Sequence, residues 1–277
     1  IYKDEYKERF NLDAPKQLKL DLLRTAKQIG FFNELELYEK EFGLTAPDGP
    51  SADKGRLLFF WHNGLGPVKD EWAINFVVVK GAGGGFVFQN DELGLAFSFP
   101  AGGGDDKATL NDLRTLRVVF PKYVSRDILF NSAALQWEGG SNALYKVEDI
   151  DKVARQLLHQ RMVKEMAESL MRVAIKKAAE AAIRKENEGL AVAASIVNMA
   201  TEQADTRNWQ TLPHEIHYTW AEIDPSVKKV NLKLASSQFS SFNTSKEINV
   251  NIEENRTKVV TFHSLEVSPR YNSLMDQ

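Results

Sequence analysis

His62 and the carboxylates Asp70 and Glu71 flank the turn Gly64-Leu65-Gly66-Pro67, so a proton donor and acceptor are within a few residues of one another. General acid–base chemistry needs such groups converging within hydrogen-bond reach, which spacing along the chain does not secure. Turn and surface roles therefore take precedence there. His214 and His217 stand three apart around Glu215. In a strand that spacing puts them on opposite faces, against a shared metal. The runs Gly81-Ala82-Gly83-Gly84-Gly85 and Gly102-Gly103-Gly104 lack the Lys-Ser/Thr and following helix of a phosphate cradle, and read as hairpin loops. The chain has no cysteine, which removes disulfides, thiol catalysis and thiolate metal sites from these residues. No catalytic, cofactor-binding or metal-binding residues are expected.

The densest polar constellation is Asp205-Thr206-Arg207-Asn208-Trp209-Gln210-Thr211-Leu212-Pro213. Pro213 disfavours helix at Leu212, so the chain must leave any preceding helix before this point and its last carbonyls need partners. Arg207 offers five donors, Asp205 can orient it, and Trp209 can anchor the connection by burying a large ring. A structural clasp is expected of Asp205, Arg207, Trp209 and Pro213. A ligand or interaction site is the other reading.

Around these residues the patterning assigns elements. Leu18, Leu22, Ala26 and Ile29 recur at helical spacing, Gly30 interrupts, and Leu35, Tyr38 and Phe42 resume before Gly43. The two short helices have the look of one tetratricopeptide-type pair, which must dock on the chain or continue an array because a single pair cannot bury its own face. Thr45 to Gly55 reads as a linker. Strands are expected at 56–61, 72–80, 94–99 and 116–120, a mixed strand or loop over 123–137, and further strands at 215–220, 229–234, 247–252 and 258–262. From Val147 to Arg184 an apolar stripe of Ile150, Val153, Leu157, Met162, Met166, Leu170, Val173 and Ala178 predicts a helix roughly 55 Å long. After Lys185–Gly189, Leu190 to Gln203 resumes the period as a return arm. The basic residues of the long helix alternate with Glu165, Glu168 and Glu180, as on a solvated face. The expected fold is α+β: a helical segment at 1–45, then a module at 55–277 with strands at 56–137, a long central helical hairpin at 147–203 and C-terminal strands at 215–262.

A net charge of −3 and a pI near 6.0 give no global attraction to nucleic acid. No window approaches the run of about 20 apolar residues that a spanning helix needs. The chain begins at Ile1 without a leader pattern, so a processed or trimmed N-terminus is expected.

The stretch Asn63 to Glu71 (NGLGPVKDE), the Arg/Lys/Ala-rich helix, Glu202 to Pro213 (EQADTRNWQTLP) and the β-rich tail resemble an uncharacterised family of bacterial envelope lipoproteins with tetratricopeptide-like helices ahead of this module. The resemblance runs over most of residues 18–262 and is most specific at the two quoted stretches, the first of which includes Gly64, Gly66 and Pro67. It implies a lipid anchor and a repeat region upstream of Ile1, a periplasmic or outer-membrane location, and no defined catalytic residues. The leading expectation is a non-enzymatic scaffold or accessory subunit of an envelope protein complex, with the N-terminal helices and the hairpin as contact surfaces. The second is a cell-wall or glycan binding module using Trp61, Trp72 and Trp137. The third is a hydrolase built around His62 and Asp70.

Overall fold

The computed structural model describes residues 14–48, 51–80, 85–99, 115–186 and 205–266. In chain order these form α1 (Lys16–Ile29), α2 (Phe32–Phe42), β1 (Gly55–Asn63), β2 (Val68–Lys80), β3 (Phe86–Asn90), β4 (Leu95–Phe99), β5 (Thr115–Val124), β6 (Ser132–Trp137), β7 (Gly140–Ala143) and β8 (Tyr145–Asp149). Then come α3 (Ile150–Glu186), β9 (Glu215–Ile223), β10 (Lys229–Ala235), β11 (Thr244–Asn249) and β12 (Thr257–Ser264). The protein is mainly β, with three four-stranded sheets against three α-helices among the described residues. This overturns the expected α+β fold with a central helical hairpin. The return arm at 190–203 lies outside the described residues, as do Gly81–Gly84 and Gly102–Gly104.

The chain divides into two compact units, each discontinuous in sequence: Ile1–Pro67 with Ser125–Ala154 and Trp209–Gln277, and Val68–Val124 with Arg155–Asn208. The N-terminal helices thus share a unit with strands from the middle and end of the chain, in place of the expected boundary at residue 45.

In the first unit, the sheet β12-β1-β9-β8 and the sheet β11-β10-β6-β7 enclose one core. Strict alternation builds it: Leu57, Phe59 and Trp61 of β1 and Val230, Leu232 and Leu234 of β10 all point inward and are almost wholly buried. Strand β12 lies parallel to β1 with Leu58 beside Val259, while β9 runs antiparallel with Leu58 beside Trp220.

Outside the first sheet lies α1. Gly30 ends it at φ +81°, a left-handed cap from which the Phe31 N–H reaches Ala26 O at 2.9 Å. Its buried residues are Leu23 and Ala26, whereas Leu22 and Ile29 of the expected stripe are exposed. Tyr218 Oη donates to Asp21 at 2.8 Å, and the Arg24 guanidinium stacks 4.2 Å from the Trp220 ring. The reason for the difference is that α1 packs on a sheet through one narrow edge. The next helix, α2, buries no residue at all. A tetratricopeptide-like seam, in which both helices bury a face, is therefore not what these helices make.

In the second unit the sheet runs β4-β3-β2-β5. Ile74, Phe76, Phe86, Phe88, Leu116, Val118 and Phe120 form one apolar face, closed by Met166, Leu170 and Val173 of α3 at helical spacing. The stripe read from the sequence is correct at these three positions, while Leu157 is 38% exposed.

Candidate functional site

At one end of the first unit's sandwich, alternation brings polar residues to inward positions. Asn63 closes β1, Glu215 and His217 open β9, and Ser264 closes β12; all four are at least 95% buried. Burying them demands partners, and they have them. Asn63 Nδ2 donates to Phe130 O at 2.7 Å and to Glu215 Oε1 at 3.0 Å, Ser264 Oγ donates to Asn63 Oδ1 at 3.3 Å, and Trp61 Nε1 donates to Ser264 Oγ at 2.8 Å. His217 Nε2 lies 2.7 Å from Glu215 Oε1, and Lys146 Nζ lies 3.3 Å from Oε2. An ionised carboxylate only accepts, so Nε2 carries the proton that it donates, and Nδ1 is buried without a partner. Burial by itself would raise the Glu215 pKa; the His217 hydrogen bond and charge, Lys146 and Asn63 outweigh it and hold the carboxyl near about 2. For Lys146 burial works against the charge, and the carboxylates of Glu215 and Asp149 outweigh it, raising its pKa.

Beside this network Asp149, Asp151 and His214 bring three ligand-type atoms within 4.8 Å of one another, a spacing a divalent cation accepts. The oxygens of Asp149 are already engaged: Oδ1 accepts from the Lys152 N–H at 2.9 Å, capping α3, and Oδ2 from Lys146 at 3.1 Å. The positive end of the helix dipole and the Lys146 ammonium both oppose a cation here. This cluster is best read as the cap of a helix. The sequence reading of His214 and His217 as a strand pair also needs correction. His214 lies before β9, its N–H bonded to Asn63 O at 3.0 Å, and only His217 is in the strand.

His62 pairs with His263 across β1 and β12, where burial and the neighbouring imidazole both lower its pKa. Asp70 lies in the second unit and pairs with Lys122 at 3.6 Å. Each member of the imagined hydrolase pair thus has a different partner.

The expected clasp is rearranged. Asp205 and Arg207 do pair, with Nε and Nη2 donating to the two carboxylate oxygens at 2.9 and 3.0 Å, and these bonds hold the Asp205 pKa far below the usual range. Yet the pair is exposed, and Trp209 is 72% exposed, its Nε1 donating to Thr211 Oγ1 at 2.6 Å. Trp209 is therefore no buried anchor, and Arg207 grips no helix end among the described residues. Arg126 does the tying. Its Nε donates to Gly66 O at 2.7 Å and its Nη2 to Gln210 O, while the Gly66 N–H reaches Leu212 O at 2.6 Å. Gly64, Gly66, Pro67 and Pro213 are all buried in this knot. Gly64 adopts φ +63°, and a Cβ on it would lie 2.8 Å from Ile128 Cγ2, so glycine is required there. Sequence reading missed Arg126, because an isolated arginine in a loop carries no local signal of burial.

Two clefts flank α1. One of about 550 Å³ is lined by Trp137, Trp220 and Asn142 from the strands and by Gln17, Asp21 and Arg24 from the helix. The other, of about 520 Å³, lies along the opposite edge of α1 over Leu58 and Phe60. Of the tryptophans expected to stack on sugars, Trp61 is fully buried, and Trp72 and Trp137 are packed partly against the cores of their units. No family model, no curated protein and no solved structure matches this chain.

Proposed function

We propose that this protein is a non-enzymatic scaffold or accessory subunit of a bacterial envelope complex, and that α2 is its contact surface. The observation that carries the reading is the exposure of Ile29, Phe31, Phe32 and Leu37, each 55–67% open on and just before a helix that buries nothing. Single exposed apolar residues are ordinary, but four within nine positions make a patch of the kind that interaction sites use. A non-enzymatic role fits the sealed Glu215–His217 pair, whose carboxylate is taken up by Asn63 and Lys146. The envelope assignment rests on the resemblance of the stretches 63–71 and 202–213.

The test is photocrosslinking in cells from position 32, with position 246, an exposed polar site on β11, as control. A discrete adduct from 32 with an envelope protein, absent from 246 and reduced by Phe31→Asp, is the expected outcome. Equal labelling from both positions, or none from 32, would rule the contact surface out.

A further inference from the structure

The cleft over Leu58 and Phe60 has a composition that the contact surface on α2 does not explain. Successive outward side chains of β1 are Arg56, Leu58 and Phe60, so a cation and two apolar groups follow one another in a row about 13 Å long. Leu18 of α1, with Tyr218 and Trp220 of β9, completes an apolar trough. Beside Leu58 across β12 stands Val259, 55% exposed. Two guanidinium groups, Arg24 and Arg56, line the cleft against one carboxylate, Asp21. That carboxylate is already spent, accepting from Arg24 at 3.1 Å, Gln17 at 3.2 Å and Tyr218 at 2.8 Å. The hydrogen-bond partners of Arg56 are neutral: its Nη2 donates to Asn255 O at 2.5 Å and Oδ1 at 3.3 Å. The Nε–H groups of both arginines are buried without a partner, which is costly for a charged donor.

From this arrangement we infer that the cleft binds an anionic single-chain amphiphile, with its carboxylate or phosphate on Arg56 and Arg24 and its chain along Leu58 and Phe60. The volume, about 520 Å³, is that of a small-molecule site. A planar carboxylate suits the guanidinium fork. A sugar suits the cleft less well, because the Trp220 face on which it would stack is covered by Arg24 at 4.2 Å. The inference is independent of the contact surface on α2.

Calorimetric titration of the full chain with dodecanoate, dodecyl phosphate, dodecan-1-ol and dodecyltrimethylammonium tests it, all below their aggregation thresholds. Dodecanoate and dodecyl phosphate should each bind one to one, at least tenfold more tightly than the alcohol, and the ammonium should not bind. Arg56→Gln should lower affinity for the two anions at least tenfold and leave the alcohol unchanged. Should Arg56→Gln fail to fold, Thr257→Glu places a carboxylate beside Arg56 in the β1–β12 register and should block the anions equally. Equal affinity for acid and alcohol, or binding untouched by both variants, overturns the site. So does competition by inorganic phosphate as strong as that by dodecyl phosphate, which would make it a plain anion site. Binding to phosphatidylglycerol vesicles without binding to monomeric dodecanoate overturns it as well, since the source would then be a membrane surface.

Discussion

The charged groups of the first unit depend on a few buried contacts, and Glu215 is the most exacting. Its folded pKa, near about 2, lies below the ordinary value of 4.5, so its contribution to stability is fully present above pH 4.5 and is lost as pH falls towards 2. The unfolding free energy from urea melts should drop over that interval by an amount on the order of a few kcal/mol, and Glu215→Gln should flatten the drop while lowering stability at neutral pH. A variant with the same acid profile as the parent would separate Glu215 from acid lability. Arg126→Ala strips donors from two carbonyls, Gly66 O and Gln210 O, and should cost about 2–4 kcal/mol. Trp209→Ala should stay within about 0.5 kcal/mol in the same melts, since a 72% exposed ring leaves no cavity. The sequence singled out residues 205–213 and the turn at 64–67 separately, with no sign that they are neighbours, and the structure brings them together at Leu212 and Gly66. It misassigned the agent, because polar density marks a junction without saying which distant side chain reaches it.

Among the elements, those with a clear period were legible and those without were not. Short apolar and β-branched runs bounded by turn residues identified β1, β10 and β12 to within a few residues, with Val230, Leu232 and Leu234 of β10 also alternating, and the helical period of 147–184 anticipated α3. Three short strands escaped. β3 follows a glycine run, β7 has the sequence Gly-Ser-Asn-Ala with no apolar alternation, and β8 overlaps the acidic start of α3, where Glu148 and Asp149 read as helix. The expected strand at 247–252 begins earlier, at Thr244, and ends at Asn249, although Val250 and Ile252 remain buried in the core. A parallel pair such as β1 and β12, some 200 residues apart, has no local signature. Nor could composition tell which side of α1 would be buried, since Leu22 and Leu23 are adjacent and equally apolar. The structure gives the answer through Leu23, which is fully buried. Leu23→Ala should therefore cost about 2–5 kcal/mol, and Leu22→Ala much less. Comparable losses at both positions, read by thermal melts, would mean that α1 packs otherwise.

At the scale of the molecule, connectivity sets an asymmetry between the two units. The second unit consists of two insertions into the first, each of roughly 55 residues, whereas the second unit is interrupted only once, by the roughly 30 residues of 125–154. If the second unit unfolds while the first stays folded, two long loops must be held closed, at about 3–4 kcal/mol each. If the first unfolds and the second persists, one shorter loop is held, at about 3 kcal/mol. Separate cores make the two outcomes distinguishable, since the apolar clusters share no residue. The tryptophans provide the readout: Trp72 lies in the second unit, and Trp61, Trp137, Trp209 and Trp220 lie in the first. In a urea melt of a variant that retains only Trp72, the midpoint should equal or exceed that of a variant retaining only Trp137, once each is referenced to its own global stability by circular dichroism. Phe76→Ala, which cuts the second core, should lower both midpoints, because the first unit cannot long outlast its insertions. Leu232→Ala, which cuts the first core, should lower the Trp137 midpoint more than the Trp72 midpoint. A first unit whose Trp137 signal stays native after the Trp72 transition is complete would show that loop closure does not govern the order of unfolding.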